Sequence, residues 1–399
     1  MSGTAFEEFA EAVASQKRAP LAGSAVEYTH IAVLGGGSDA QLLAAICLSE
    51  GAQVTLFSAY GRELEQLRAG SGVTIRGAGP IGTYQVDREG TPSIRTTGEL
   101  DQAVGQAEVI FLTGPVHKQR TYAMVLAEHL RDGQVLVIAP GRSLGAAEAA
   151  WMLRVGGCKA DITIVEVQGL PYWTSSNGAT LTLQRVAPVS AATLPAGRNK
   201  CLEGLKRFLP NIVSAISTVH SGFADGSGLV EVPALLLGGV VVGHGGPSVP
   251  QGGVPLEENK SFRALIGPGQ TAVISRLAAE RRAVASRFGV RDLPDDESWI
   301  EAHAGSERGD GRRPVPAPEQ AAGIIRCATI GSLAPLLSAG RIAGVETPAT
   351  AAMITLASTV LGADVEPAGR KLDAIGVNAG NLEEARRILD SIAGARRHG

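Results

Sequence analysis

One strand-to-helix junction near the start constrains this chain more than any other feature. His30-Ile31-Ala32-Val33-Leu34 is a short apolar run that passes into Gly35-Gly36-Gly37-Ser38-Asp39-Ala40 and then into a helical pattern from Asp39 to about Glu50. This is the Gly-x-Gly-x-x-Ala arrangement between a strand and a helix, and each position has a mechanical reason. Gly35 permits a tight turn, Gly37 removes the Cβ that would collide with a pyrophosphate, and Ala40 lets helix and strand approach closely. Phosphates then meet the free N–H groups of Ser38 and Asp39 at a positive helix end. The turn reads as a dinucleotide-binding site.

The units that follow repeat the pattern. QVTLF (53–57), EVIFL (108–112) and VLVIA (135–139) are apolar strands separated by helices, which implies βαβ units and a parallel sheet. VTIRG (73–77) and TYQV (83–86) read as a small antiparallel excursion, and DITIVEV (161–167) and ATLTLQRV (179–186) carry strand texture to about Leu194. Past residue 197 the texture is helical, clearest in TAVISRLAAERRAVASRFG (271–289), where Gly289 is a stop signal. Residues 304–318 read as a charged, exposed Pro/Gly loop. The expected fold is α/β: an N-terminal Rossmann-type dinucleotide-binding domain followed by a mostly α-helical C-terminal substrate domain. Residues 1–27 are an N-terminal extension with a short amphipathic helix, 28–197 the first domain, and 198–391 the second, helical domain for substrate and dimerisation.

Two further positions bear on the nucleotide. About twenty residues past the glycines, an acid usually takes the ribose 2′-hydroxyl. The second strand here ends Phe57-Ser58-Ala59-Tyr60-Gly61-Arg62 with no acid. Ser58 can hydrogen-bond and Arg62 can pair with a 2′-phosphate, so NADP is slightly preferred over NAD; the alternative is that Arg62 only caps its helix. Gly114, Pro115 and His117 follow the strand of 108–112 at its carboxyl end, where α/β folds place ligands.

Composition removes other classes. The 399 residues are 44% hydrophobic and 19% charged with net charge −3, so the chain lacks the basic surplus that nucleic acid or an anionic membrane demands. Four scattered cysteines form no CxxC pair, which argues against a disulfide framework or a metal cluster and fits a reducing cytoplasm. Glu7, Glu8 and Glu11 interrupt the first apolar residues, and no stretch reaches the ~18 apolar residues of a membrane span.

From residue 111 onward the chain resembles the octopine/nopaline (opine) dehydrogenase family. The resemblance is colinear from about residue 30 to 380. It runs through Pro115 and His117, Pro140-Gly141-Arg142 with Glu148, and Glu166 with Leu170-Pro171-Tyr172, to Leu194-Pro195-Ala196. It continues through Glu280-Arg281, Gly344-Val345-Glu346-Thr347-Pro348, Gly369-Arg370 and Gly376. The family implies reductive condensation of an α-keto acid with an amino-acid amine by hydride delivery to an imine, in a cleft between the two domains. It also implies a histidine of the second domain, aided by an acid, in proton transfer. Such transfer needs a group with pKa near neutrality. His244, in LLLGGVVVGHGGPSVP, is that candidate, with His220 the competing base.

Three departures from the family pattern point to a less charged substrate: Trp173-Thr174-Ser175-Ser176 where an arginine is frequent, Ala278 where an aspartate is usual, and Gly238-Gly239 in place of an Asn-rich approach. Arg142 is a candidate for a substrate carboxylate or a cofactor phosphate, against a solvated loop arginine. Glu166 is a site acid or a satisfied buried carboxylate, and Tyr172 and Trp173 are pocket walls or core aromatics. Glu280 and Arg281 read as a pair on their helix, and His129, His303 and His398 as helix-surface or tail residues. Two other readings stand beside the imine reading: a secondary-alcohol or hydroxy-acid dehydrogenase on the same fold, and a nucleotide-binding sensor without catalysis. A homodimer is expected, because PALLLGGVVV (233–242) and the amino-terminal helix offer apolar surface.

Overall fold

The computed structural model describes residues 26–70, 72–238 and 261–394. The first strand, β1 (His30–Leu34), is followed by α1 (Ser38–Ser49), β2 (Gln53–Phe57) and α2 (Gly61–Ala69). Then come β3 (Val73–Gly77), β4 (Gly82–Tyr84), β5 (Arg95–Thr97), α3 (Leu100–Val104), β6 (Val109–Leu112) and α4 (Val116–Leu126). The sheet-bearing part continues with β7 (Val135–Ile138), α5 (Gly145–Val155), β8 (Thr163–Val167), β9 (Tyr172–Asn177), β10 (Thr180–Arg185) and β11 (Val189–Leu194), then α6 (Lys200–Leu205) and β12 (Ile212–Ser214).

The main sheet has the order β12-β11-β8-β7-β6-β1-β2-β5. All neighbours are parallel except β11 against β8. Its central strands are apolar on both faces because helices cover both, and Ile31, Val33, Val109 and Phe111 are buried on one side while Ala32, Leu34, Ile110 and Leu112 are buried on the other. The strand order reverses at β1, between β6 and β2, and ligands of doubly wound sheets bind at such a switch point, outside the carboxyl ends of the strands. The excursion expected after the second helix is a separate four-stranded sheet, β4-β3-β10-β9, with β3 and β4 antiparallel.

The second part is helical: α7 (Thr218–Ala224), α8 (Ser227–Leu237), α9 (Pro268–Arg287), α10 (Asp296–Ala304), α11 (Pro318–Ala328), α12 (Ala334–Ala343), α13 (Pro348–Leu361) and α14 (Leu382–Gly394). Leu229, Val232, Leu277, Trp299, Ile325 and Met353 share its core. A single π turn, Thr329–Leu333, joins α11 to α12. The continuous run Pro318–Ala343 is long and apolar enough to cross a membrane by length and composition, yet two thirds of its apolar window is packed inside the protein (67% buried).

Candidate active site

Two strand-to-helix turns face each other across the carboxyl edge of the sheet. The first follows β1. Gly35 has φ +130°, and a Cβ there would lie 2.5 Å from Thr113 Oγ1, so only glycine fits. Ala40 is fully buried beneath it. Gly37 is different in kind, since a Cβ built on it would meet nothing within 4 Å. The same holds at Gly114, with φ +90°, beside Pro115 at the end of β6. No side chain caps α1, so the N–H groups of its first turn, beginning at Ser38 and Asp39, are left for an outside acceptor. Open space over two glycines, beside an uncapped helix N-terminus, fits the diphosphate of a dinucleotide.

The second turn, Ala139–Gly145 after β7, is built in the opposite way. Arg142 (φ +54°) and Leu144 (φ +63°) both take the left-handed region, which costs about 1–3 kcal/mol each for such residues. The surroundings hold them there. Arg370, with no exposed surface, donates from Nη1 to the Gly141 and Ser143 carbonyls at 2.6 and 3.3 Å, from Nη2 to Gln119 Oε1 at 2.6 Å and from Nε to Glu148 Oε2 at 2.6 Å. Arg120 closes on the other Glu148 oxygen at 2.8 Å. Ser143 N–H donates to the Gly331 carbonyl at 2.9 Å, on the π turn, and a side chain at Gly331 would crowd Arg142.

Beneath this turn lies Glu166. Its Oε2 accepts from Ala146 N–H at 3.0 Å, the start of α5, and its Oε1 from Gln168 at 3.1 Å. Burial raises its pKa to about 7, against the pull of Ala146 N–H and of Arg370.

Between the turns is a cavity of about 310 Å³. Ser38 and Asp39 line one end, with Pro140, Arg142, Gln168, Tyr172, Trp173, Glu231, His303 and Arg313 around it. Glu231 accepts from Arg142 Nη1 at 3.2 Å and Arg313 Nη1 at 2.8 Å. Burial alone would raise its carboxyl; the two guanidinium groups hold it below the usual range. Arg142 Nε is buried with no partner, a donor left over beside the cavity. Arg313 also lies against the Trp173 ring, 5.9 Å from its centroid.

The expected site residues are thus partly gathered. Gly35, Gly37, Ser38, Asp39, Ala40, Gly114 and Pro115 converge at the β1 and β6 ends, and Arg142, Tyr172 and Trp173 line the cavity. His117 is exposed on the first turn of α4, its pKa lowered by partial burial, Arg326 and Lys118. Glu166 lines no part of the cavity; its Oε2 accepts from Ala146 N–H and its Oε1 from Gln168, which does line it. Ser58 is 1% exposed and donates inward to Glu63 Oε2 at 2.5 Å, so it offers nothing to a phosphate; Arg62 is exposed. His220 is tied to Ser217, the cap of α7. His244 lies outside the described residues.

Several readings are corrected by packing. Glu280 and Arg281 do not pair: Glu280 caps the N-terminus of α13 through Ala349 and Thr350 N–H, both at 2.9 Å, and Arg281 is buried against Gly222 O and Ser332. His303 is no surface residue. Its Nε2 accepts from Gly226 N–H at 3.1 Å, and burial lowers its pKa to about 4. The 304–318 segment is no freely exposed loop, since Arg185 N–H donates to the Asp310 carbonyl at 2.7 Å and Arg313 is buried. It supplies the guanidinium that the sequence around Trp173 lacks. Within the apolar run 233–242, Pro233, Ala234 and Leu235 are buried within the chain itself and Leu236 and Leu237 are half-buried, while 239–242 lie outside the described residues.

The Rossmann-type domain with a helical partner domain defines a class, that of two-domain dehydrogenase folds. Within it the chain resembles the opine dehydrogenases, as its motifs indicate. An opine dehydrogenase of Arthrobacter sp. (strain 1C) is 24% identical over 366 residues, covering 88% of this chain and 96% of that protein. Protein ocs of Agrobacterium tumefaciens (strain Ach5) is 22% identical over 372 residues, 91% of this chain and 99% of its own. Among solved structures, octopine dehydrogenase with NADH and pyruvate has TM-score 0.67 at 17% identity, covering 93% of this chain and 99% of that one. Yersinopine dehydrogenase with NADP+ bound has TM-score 0.60 at 13% identity, covering 92% and 99%. No family profile matches the chain.

Proposed function

We propose that the chain is an NAD(P)-dependent dehydrogenase that moves a hydride between nicotinamide and an imine or carbonyl carbon in the cleft. One observation carries this reading: the uncapped α1 terminus, the partly buried Arg142 and the buried Arg313 open on the same cavity of about 310 Å³. Gly37, Ser38, Asp39 and Gly114 would hold the nucleotide diphosphate, and the dinucleotide supplies the hydride when bound. The protein's own residues do the rest. Arg142 and Arg313, already sharing Glu231, hold a substrate carboxylate by charge-assisted hydrogen bonds, and the Trp173 face and the Tyr172 side chain wall the cavity against water. His303 is neutral at pH 7, so it orients rather than transfers a proton. His244 keeps the proton-transfer role that the family resemblance gives it.

The second domain is proposed to begin after Ser214 rather than at 198, because β12 pairs with β11 and Leu202 and Leu205 of α6 sit in the sheet core. The homodimer, resting on the apolar run 233–242 and the amino-terminal segment, and a cytoplasmic location are proposals of the same standing.

Reduced nucleotide oxidation followed with an α-keto acid, with and without an added amino acid, tests the chemistry. Turnover that requires the amine supports the imine reading. Full turnover without it assigns the chain to carbonyl reduction, and nucleotide binding without turnover on either substrate assigns it to the silent sensors.

A further inference from the structure

Glu63 is used by nothing in the reaction described above, yet it occupies a built position. It stands in the first turn of α2, just past the end of β2, the usual place of a ribose-binding acid. Its side chain folds back across the first turn of the sheet. Any Cβ on Gly36 would overlap the Glu63 carboxylate, so the middle glycine of the triplet is what admits it. Ser58, at the end of β2, donates to Glu63 Oε2 at 2.5 Å, and the Tyr60 N–H donates in turn to Ser58 Oγ at 3.1 Å. The carboxylate is therefore set, by two hydrogen bonds in series, at the carboxyl end of β2 and against the glycine turn. This is where a doubly wound sheet receives the adenosine ribose.

The position has a consequence for cofactor choice. A ribose diol donates hydrogen bonds that a carboxylate accepts, and such charge-assisted bonds are the strong ones. A 2′-phosphate brings a second anion to the same spot, where like charges repel. Two cations stand nearby, Arg62 and Lys118. Arg62 is exposed, and Lys118 donates to Tyr60 Oη at 2.9 Å and lies 4.6 Å from that ring's centroid; Lys118 feels the Glu63 charge, yet neither cation forms an ion pair with Glu63 among the described residues. Resting on the dehydrogenase reading above, we infer that Glu63 is the ribose-binding acid of this site and makes the protein select NAD over NADP. On this inference NAD takes the place of NADP, the slight preference drawn from Ser58 and Arg62.

Fluorescence titration with NADH and NADPH tests this by binding alone, with a melting curve for each protein. The wild type is expected to bind NADH at least about tenfold more tightly than NADPH. Glu63→Gln, which keeps the shape and removes the charge, is expected to bring the two affinities within about threefold, chiefly by strengthening NADPH. Glu63→Ser is expected to move the ratio the same way without the amide. Equal or tighter binding of NADPH by the wild type, or an unchanged ratio in folded Glu63→Gln, overturns the inference while the dehydrogenase reading stands. Failure of the wild type to bind either nucleotide overturns both.

Discussion

The turn after β1 and the turn after β7 do the same topological job in opposite styles. Each carries the chain from the carboxyl end of a central strand into a helix at the cleft. The first is glycine throughout, with empty space over Gly37 and no cap on its helix. The second holds two non-glycine residues at positive φ, has its carbonyls taken by Arg370, and has its helix start taken by Glu166. A turn that leaves its donors unsatisfied is arranged for a ligand, whereas one that satisfies them from the other half of the chain is arranged to join the halves. The cleft exists between them because only one of the two is closed.

The largest effect is expected where the closed turn is opened. Arg370→Ala leaves one Glu148 oxygen, Gln119 Oε1 and two carbonyls without their buried donor, with Arg120 keeping only the other Glu148 oxygen, and breaking a buried pair costs about 3–5 kcal/mol. Urea unfolding should show that loss, and a loss under 1 kcal/mol would mean that the second turn does not depend on the clamp. At the open turn the two outer glycines should separate. Gly37→Val should lower nucleotide affinity about a hundredfold with little change in melting, whereas Gly35→Ala should lose about 1–3 kcal/mol of stability through its strained φ.

A smaller effect concerns pH. The Glu166 carboxyl lies above its ordinary value of 4.5, at about 7, so the folded protein holds that proton while the unfolded chain releases it. Its contribution is full below about pH 4.5 and fades as pH rises to about 7. Relative to Glu166→Gln, the wild type should lose roughly 3 kcal/mol across that window, read from unfolding at pH 4.5, 6 and 8. A parallel pH dependence in both proteins would place the titration elsewhere. The smallest effect is at the cavity wall: Trp173→Ala should raise the KM for an α-keto acid about tenfold with kcat nearly kept, the mark of lost uniform binding.

The first turn was legible in the sequence because everything that makes it is local: an apolar run, three glycines and a helical period within twenty residues of one another. Arg142 was legible for a similar reason, in a short Pro-Gly-Arg segment after a strand. Glu63 was not, since its role depends on how α2 is rotated against Gly36; the middle glycine of the triplet was the signal, unexplained by the Gly-x-Gly-x-x-Ala spacing alone. Arg313 was missed because charge and proline in 304–318 read as solvent exposure, and His303 because it read as a helix-surface residue; only tertiary packing shows that both line the cavity. Glu166 was legible as either a site acid or a satisfied buried carboxylate, and the hydrogen bond from Ala146 is what the sequence could not show.

The central claim is that the bare turn after β1 receives a dinucleotide. NADH titration of the wild type and of Gly37→Val, each with its melting curve, addresses it most directly. Saturable binding that the substitution abolishes, with the melting midpoint kept, is the expected result. Undiminished binding in the folded variant, or none in the wild type, would contradict the account.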